Sequence, residues 1–189
     1  MLTSKRLFDL ILTLILLIFI FLPFLIIAVL VKFTSKGPVF HLSKRVGKNN
    51  MLFLMPKFRS MKVDTPQVAT HLLEDPENFL TPIGLFLRKS SLDELPQIFS
   101  VLSGEMSFVG PRPALFNQQD LIKLRTQLGI QTLNPGITGW AQVNGRDELA
   151  IPLKVKFDEY YLKNQSLFLD LKIIFLTFYK VFKSEGISH

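Results

Sequence analysis

Asp93 and Glu94 are adjacent carboxylates that follow a basic pair and two serines in the run Arg88-Lys89-Ser90-Ser91-Leu92-Asp93-Glu94-Leu95-Pro96-Gln97. Such carboxylates can serve as nucleophile, as base or as ligand to a hard cation. Ser91 and Glu94 also have the S-x-x-E spacing of a capping box, with Ser91 as N-cap and Leu92, Asp93 and Glu94 as the first helical turn. The helix dipole favours acids there whatever else they do. Chemistry at this place therefore needs three more things: cations for phosphate, a turn that comes close to a ligand, and an anchor.

Arg112 stands between Pro111 and Pro113 in Phe108-Val109-Gly110-Pro111-Arg112-Pro113. The two prolines fix the backbone and aim a guanidinium whose planar fork suits phosphate. An ordinary exposed turn arginine is the simpler alternative. Arg146 closes the stretch Asn134 to Arg146, which also holds Gly136, Gly139, Gly145, Pro135 and the only Trp, Trp140. Glycines permit tight turns and close backbone approach to a ligand. Arg146 is thus a second candidate for phosphate. Trp140 could pack under a base or sugar, or anchor the loop in the core. Lys57 and Arg59 flank Phe58 and point to one face of a strand, where they could hold a phosphate together. Lys44, Arg45, Lys48 and Lys62 make the same region strongly cationic, which equally suits a face beside anionic lipid.

The whole chain agrees with an anionic partner. Its 189 residues carry a formal net charge of +7, which favours nucleic acid, anionic lipid or a phosphorylated substrate. It has no Cys, which excludes disulfides, thiolate nucleophiles and Cys-ligated zinc. His41, His71 and His189 are scattered and suggest no metal cluster.

Leu10 to Val31 carries no charge and is long enough to cross a bilayer core as a helix. It exceeds a usual signal-peptide core, and no small-x-small cleavage site follows it. Basic residues flank it on both sides, with Lys5 and Arg6 before and Lys32, Lys36, Lys44 and Arg45 after. The positive-inside rule thus finds no asymmetry. Pro23 is expected to bend the helix. A re-entrant helix that dips into one leaflet is therefore preferred to a straight span. Asp9, one turn from Arg6, is expected to pair with it.

Past the Gly37-Pro38 break, Val39–Leu42 and Met51–Phe58 read as strands around a turn at Gly47–Asn50, with Pro56 placing the second at a sheet edge. Val63–Asn78 reads as a surface loop with one helical turn at 68–73. Thr81 and Pro82 suit the N-cap and first position of a short helix closed by Arg88-Lys89. A second helix is expected over Leu92–Ser103, burying Leu95, Ile98, Phe99 and Leu102 and ending at Gly104. A third covers Asn117–Leu128. Pro152 opens a helix to Asn164 that carries Asp158, and Ser166 caps a last one that carries Asp170. The last helix is rich in Phe and Lys, as suits the lipid headgroup layer. The expected class is mainly α with a small β element (α+β), in one compact domain behind the anchor.

Together these motifs make the chain resemble the bacterial sugar transferases, specifically the small monotopic polyprenol-phosphate phosphoglycosyl transferases. The resemblance rests on Lys5-Arg6-Leu7-Phe8-Asp9, Gly37-Pro38-Val39-Phe40, Lys57-Phe58-Arg59-Ser60-Met61, Leu87-Arg88-Lys89 and Ser91 to Gln97. It continues through Gly104 to Pro113 and Pro135 to Arg146. It implies a monotopic membrane protein with a re-entrant helix in residues 1–36. Residues 37–189 would form a cytosolic and interfacial transferase domain at the bacterial inner membrane. It implies transfer of a sugar 1-phosphate from a UDP-sugar to undecaprenyl phosphate with Mg²⁺ and release of UMP. Membrane phospholipids, and no nucleic acid, are the further expected partners. It places the catalytic dyad at Asp93 and Glu94, with Asp93 as nucleophile and metal ligand. In that scheme Arg112 and Arg146 hold phosphate, Arg88 holds a lipid phosphate, and Asp158 and Asp170 are candidates for metal or substrate hydroxyls. Leu22-Pro23 departs from the Ser-Pro found at the membrane break in many members. The extra amino-terminal spans of larger members are missing, so a minimal catalytic unit is expected. Direct displacement without an enzyme intermediate, and a non-catalytic lipid-binding scaffold, are the alternatives.

Overall fold

A computed structural model of the chain describes residues 4–65, 75–145 and 149–182. The apolar run lies inside one long helix, α1 (Ser4–Thr34), which continues through Pro23. Its buried residues Asp9, Thr13, Ile27 and Val31, with partly buried Leu12, Leu16, Phe24 and Ala28, recur at helical spacing and make one stripe. Ile18, Phe19, Phe21 and Leu22 between the two buried stretches are exposed. Both ends of α1 therefore dock on the rest of the protein, and its middle presents a bare apolar surface.

Behind α1 stand two small sheets and a set of shorter helices. The hairpin of β1 (Phe40–Val46) and β2 (Leu52–Phe58) pairs in antiparallel register from Phe40 with Phe58 to Val46 with Leu52. β4 (Ala114–Leu115) adds to the other side of β1, so β2 is an edge strand, as Pro56 requires. β3 (Ser107–Val109) and β5 (Gly136–Thr138) form a separate parallel pair. Glycine is required at this seam: a Cβ on Gly136 would lie 2.1 Å from the Gly110 nitrogen, and one on Gly110 would lie 2.3 Å from the Asn134 carbonyl oxygen.

The helices are α2 (Gly84–Lys89), α3 (Gln97–Ser103), α4 (Gln119–Gln127), α5 (Trp140–Gly145), α6 (Ile151–Asn164) and α7 (Leu167–Phe182). The main core joins Phe53 and Met55 of β2, Val101 of α3, Phe108 and Val109 of β3, Val143 of α5, Tyr161 of α6 and Ile173 of α7. A second cluster sets Ile27 and Val31 of α1 against Phe58 and Leu87. A third seats α4 on α6 through Leu121, Ile130 and Val155.

Several boundaries agree with the sequence. Gly104 and Gly129 take positive φ after α3 and α4, and the Ser166 hydroxyl accepts from the Leu169 amide at the start of α7. Others differ. The expected helix over Leu92–Ser103 is split into a 3₁₀ turn at Leu92–Glu94 and α3, with Pro96 between them. Ser91 sits at φ 57° and makes no side-chain cap, so the capping box does not form. The tighter turn shifts the phase of the helix after it: α3 buries Gln97, Ile98, Ser100 and Val101, while Phe99 and Leu102 face outward. Thr81 does not cap α2, because its hydroxyl turns to the Ser60 carbonyl and α2 begins at Gly84. Residues 68–73 lie outside the described residues.

Candidate active site

The 3₁₀ turn puts two adjacent carboxylates in different surroundings. Glu94 Oε1 accepts from Lys57 Nζ at 2.6 Å and from Arg112 Nη2 at 3.0 Å. Lys57 comes from the end of β2 and Arg112 from the loop after β3, so three segments meet at one carboxylate. Burial alone would push Glu94 up, but the charges and hydrogen bonds of Arg112 and Lys57 outweigh it and hold Glu94 well below the usual carboxylate range. Asp93 stands beside this arrangement rather than inside it. Lys57 Nζ lies 4.0 Å from Asp93 Oδ2, an ion-pair separation beyond hydrogen-bond length. Burial raises the Asp93 pKa; Lys57 draws it down, and the neighbouring Glu94 charge pushes it up again. The turn thus holds one carboxylate fixed and ionised, and one that is near a cation with its oxygens outside that hydrogen-bonded cluster.

The Arg112 loop is held by its backbone. Prolines have no N–H, so the carbonyls are the handles of Pro111-Arg112-Pro113. Gly136 N–H donates to the Pro111 carbonyl at 2.9 Å, Arg125 Nη1 to the Arg112 carbonyl at 2.8 Å, and Arg45 Nη1 to the Pro113 carbonyl at 3.2 Å.

The expected site residues divide into three groups. Asp93, Glu94, Lys57 and Arg112 come together, and Arg88 is close enough to act on the Asp93 charge while its Nη1 contacts Met61 Sδ at 3.2 Å. Arg59, Asp158 and Asp170 are engaged elsewhere. Arg59 does not share a phosphate with Lys57: β2 ends at Phe58, and the Arg59 guanidinium is buried under Gly37, donating to the Ser35 carbonyl and hydroxyl at 2.9 and 2.8 Å. Asp158 is buried on α6, where its Oδ2 accepts from Arg125 Nε at 3.0 Å and Nη2 at 2.7 Å. Asp170, buried on α7, accepts from Lys5 Nζ at 2.7 Å and from the Tyr161 hydroxyl at 2.6 Å. Arg146 lies outside the described residues.

Trp140 packs against the main core and stacks on Tyr160, with Lys172 over its ring, as the core-anchor reading expects. The expected Arg6–Asp9 pair is replaced by longer-range bonds. Asp9 accepts from the Ser107 hydroxyl and the Phe108 amide, and Arg6 caps the carbonyls of Val101 and Leu102 at the end of α3. Sequence reading passed over Arg125 and took Arg45 only as part of a cationic face, whereas it donates to the Pro113 carbonyl. For Arg125 the signal was present: it follows Leu121 by four residues, a cation on the core stripe of an amphipathic helix, which demands a buried partner.

A profile of the bacterial sugar transferases matches residues 1–184. The chain belongs to the bacterial sugar transferase family. It is 43% identical over 184 residues to the uncharacterized sugar transferase EpsL of Bacillus subtilis (strain 168), covering 97% of this chain and 90% of that one. It is 37% identical to the exopolysaccharide production protein ExoY of Rhizobium meliloti (strain 1021), over 97% of this chain and 87% of the other. A UDP-glucose:undecaprenyl-phosphate glucose-1-phosphate transferase of Escherichia coli (strain K12) is 41% identical over 96% of this chain, which spans only 41% of that protein. The segment shared with that larger sugar transferase includes the Asp93–Glu94 turn and the Arg112 loop, since so little of this chain lies outside the match.

Proposed function

We propose that the protein transfers a sugar 1-phosphate from a UDP-sugar to undecaprenyl phosphate, releasing UMP, through a covalent aspartyl phosphosugar. The unequal setting of the two carboxylates carries this reading. Glu94 is committed to Lys57 and Arg112, whereas Asp93 keeps its oxygens outside those bonds. In the first half-reaction an Asp93 oxygen forms a bond to the β-phosphorus of the donor. The bond from that phosphorus to the oxygen bridging to the α-phosphate breaks, and UMP leaves with that oxygen. In the second half-reaction a phosphate oxygen of the lipid forms a bond to the same phosphorus. The Asp93–phosphorus bond breaks, the lipid diphosphosugar departs and the carboxylate is restored.

Arg112 and Lys57 face the phosphate charge, and Glu94 orients both of them. Arg88, which acts on the Asp93 charge, is suited to a lipid phosphate, and Arg146 to the donor phosphates. The donor set fits Mg²⁺ held in the usual manner, through one carboxylate and substrate phosphates rather than an all-protein cage. Among the described residues no cluster of three His, Cys, Asp or Glu exists, and of the two site carboxylates Asp93 is the one outside the Lys57 and Arg112 hydrogen bonds. When bound, Mg²⁺ would offset charge between Asp93 and the diphosphate.

The anchor fits a lipid acceptor. α1 is long and apolar enough to cross a membrane, at about 46 Å for a straight helix. Yet its start is tied to β3 and α7, and its end to Arg59 and Phe58, all of one body. With both ends on one globular body, a bend at Pro23, which the sequence predicts, would let the helix enter and return from the cytoplasmic leaflet of the inner membrane. The exposed Phe168, Leu171, Phe175 and Phe178 of α7 suit the headgroup layer beside it.

The deciding experiment is UMP release over a UDP-sugar panel in detergent, with Mg²⁺ and with or without undecaprenyl phosphate. With the right donor, wild type should release about one equivalent of UMP without lipid, and radiolabelled sugar phosphate should remain on the protein. Asp93→Asn should do neither, while Glu94→Gln should form the adduct slowly. Turnover without any trapped adduct would favour direct displacement. Normal turnover by Asp93→Asn would remove the nucleophile assignment.

A further inference from the structure

We propose that Arg125 and Asp158 are positioning residues for the transfer reaction, acting together on the carbonyl of Arg112 to aim its guanidinium at Glu94. The inference rests on reading the Asp93–Glu94 cluster as the reacting site. It concerns two residues that lie outside that cluster.

The geometry has three links. Asp158, 1% exposed on α6, takes two donors of the Arg125 fork, Nε at 3.0 Å and Nη2 at 2.7 Å. The third donor, Nη1, reaches the Arg112 carbonyl at 2.8 Å. Arg112 then reaches Glu94 through its own Nη2 at 3.0 Å. A single planar guanidinium thereby joins α6, α4 and the backbone of the residue whose side chain enters the site. Lysine could not do this, because its point charge lacks a fork with fixed directions.

Stability gives little reason to keep such a pair. Taking two ions out of water costs several kcal/mol each, and a well-packed apolar pair of similar volume is often as stable or more so. The surroundings would accept one, since α4 and α6 already meet through Leu121, Ile130 and Val155. The two ions do what an apolar pair cannot: they leave one aimed donor for a carbonyl in a loop with few other handles. Pro111 and Pro113 have no N–H, and each of the loop's three carbonyls accepts a hydrogen bond. The Pro111 and Pro113 carbonyls are held by Gly136 and Arg45, and the central one, on the functional residue itself, is held by Arg125. Without Arg125 the Arg112 carbonyl loses the donor that sets its direction, and the prolines alone leave small backbone shifts that displace the guanidinium at the end of a long side chain.

The test replaces the pair with an apolar one, Arg125→Met with Asp158→Leu, and compares it with Arg125→Lys, with Arg112→Ala and with the triple variant. Three quantities are read: the thermal midpoint in detergent, kcat/KM for UMP release, and the ¹⁵N-resolved Arg112 guanidinium N–H signal. The apolar pair should keep a midpoint at or above wild type yet lose kcat/KM roughly a hundredfold. Arg125→Lys should not rescue it. The Arg112 N–H signal should broaden or exchange faster in both. Adding the apolar pair to Arg112→Ala should cost no further activity, because the pair acts through that residue. An apolar-pair variant with full activity and an unchanged Arg112 signal would overturn the proposal. So would losses that multiply in the triple variant. Failure of the underlying reading would look different. Arg112→Ala would then release UMP like wild type, and the Arg112 signal would still report whether the clamp aims the guanidinium.

Discussion

Asp93 carries the least comfortable charge of the reacting group, and this makes it open to two measurements. Its folded pKa is raised, chiefly by burial, so ionisation is easier in the unfolded chain. The charge therefore weakens the fold progressively as pH rises from the unfolded value of 3.8 through the folded one. At neutral pH Asp93→Asn should abolish transfer and leave the thermal midpoint equal or a few degrees higher; a large fall would contradict this sign. In the proposed reaction attack needs the ionised form, so single-turnover UMP release should rise with pH through the Asp93 pKa. Lys57 lowers that pKa and Glu94 raises it. Lys57→Met should thus move the acidic limb to higher pH, and Glu94→Gln should move it to lower pH. A limb that stays in place in both would assign it to another group. The gathering of Asp93, Glu94, Lys57 and Arg112 involves residues that the sequence nominates by type and spacing, whereas the 3₁₀ geometry of the turn that carries the two acids was not legible. Nor were Arg59, Asp158 and Asp170, since their partners stand 24, 33 and 165 residues away, and no spacing encodes those distances.

At the level of elements, the helices with a strong stop or start were legible: Gly104, Gly129, Pro152 and Ser166 mark real ends. The split of the Leu92–Ser103 helix was not, because Ser91 adopts a left-handed backbone that only the packing around it imposes. The β3–β5 pair was hidden for another reason: strands of three residues are too short to carry an alternating pattern. The joint between α1 and β1 gives a sharp prediction. Gly37 has φ 119°, and a Cβ there would meet Arg59 Nη1 at 2.0 Å. Gly37→Ala combines backbone strain with a clash against a buried cation and should cost about 2 kcal/mol or more. The thermal midpoint in detergent measures it, and a neutral result would mean that Arg59 has room to move.

For the whole molecule, the membrane arrangement is the property with the widest reach. The helix was legible from its length, but its two docked ends were not, since composition says nothing about what a helix end touches. Natural lack of Cys makes the arrangement directly measurable. Ser4→Cys and Lys36→Cys should both resist an impermeant maleimide in intact cells and both react once the inner membrane is opened. Labelling of one position from outside would establish a span and overturn the re-entrant reading.

The staples at the start of α1 also set an order of events during synthesis. Lys5 leaves the ribosome 165 residues before Asp170, and Asp9 about a hundred before Ser107 and Phe108. In the membrane arrangement proposed above, the apolar helix meets the bilayer while the polar partners of its first turns are still unmade. Its far end docks once Phe58 and Leu87 emerge, Arg6 and Asp9 once Val101 and Ser107 do, and Lys5 waits longest, for Asp170 of α7. A chain that stalls between residues 108 and 170 can already engage Arg6 and Asp9 but leaves Lys5 without the Asp170 carboxylate.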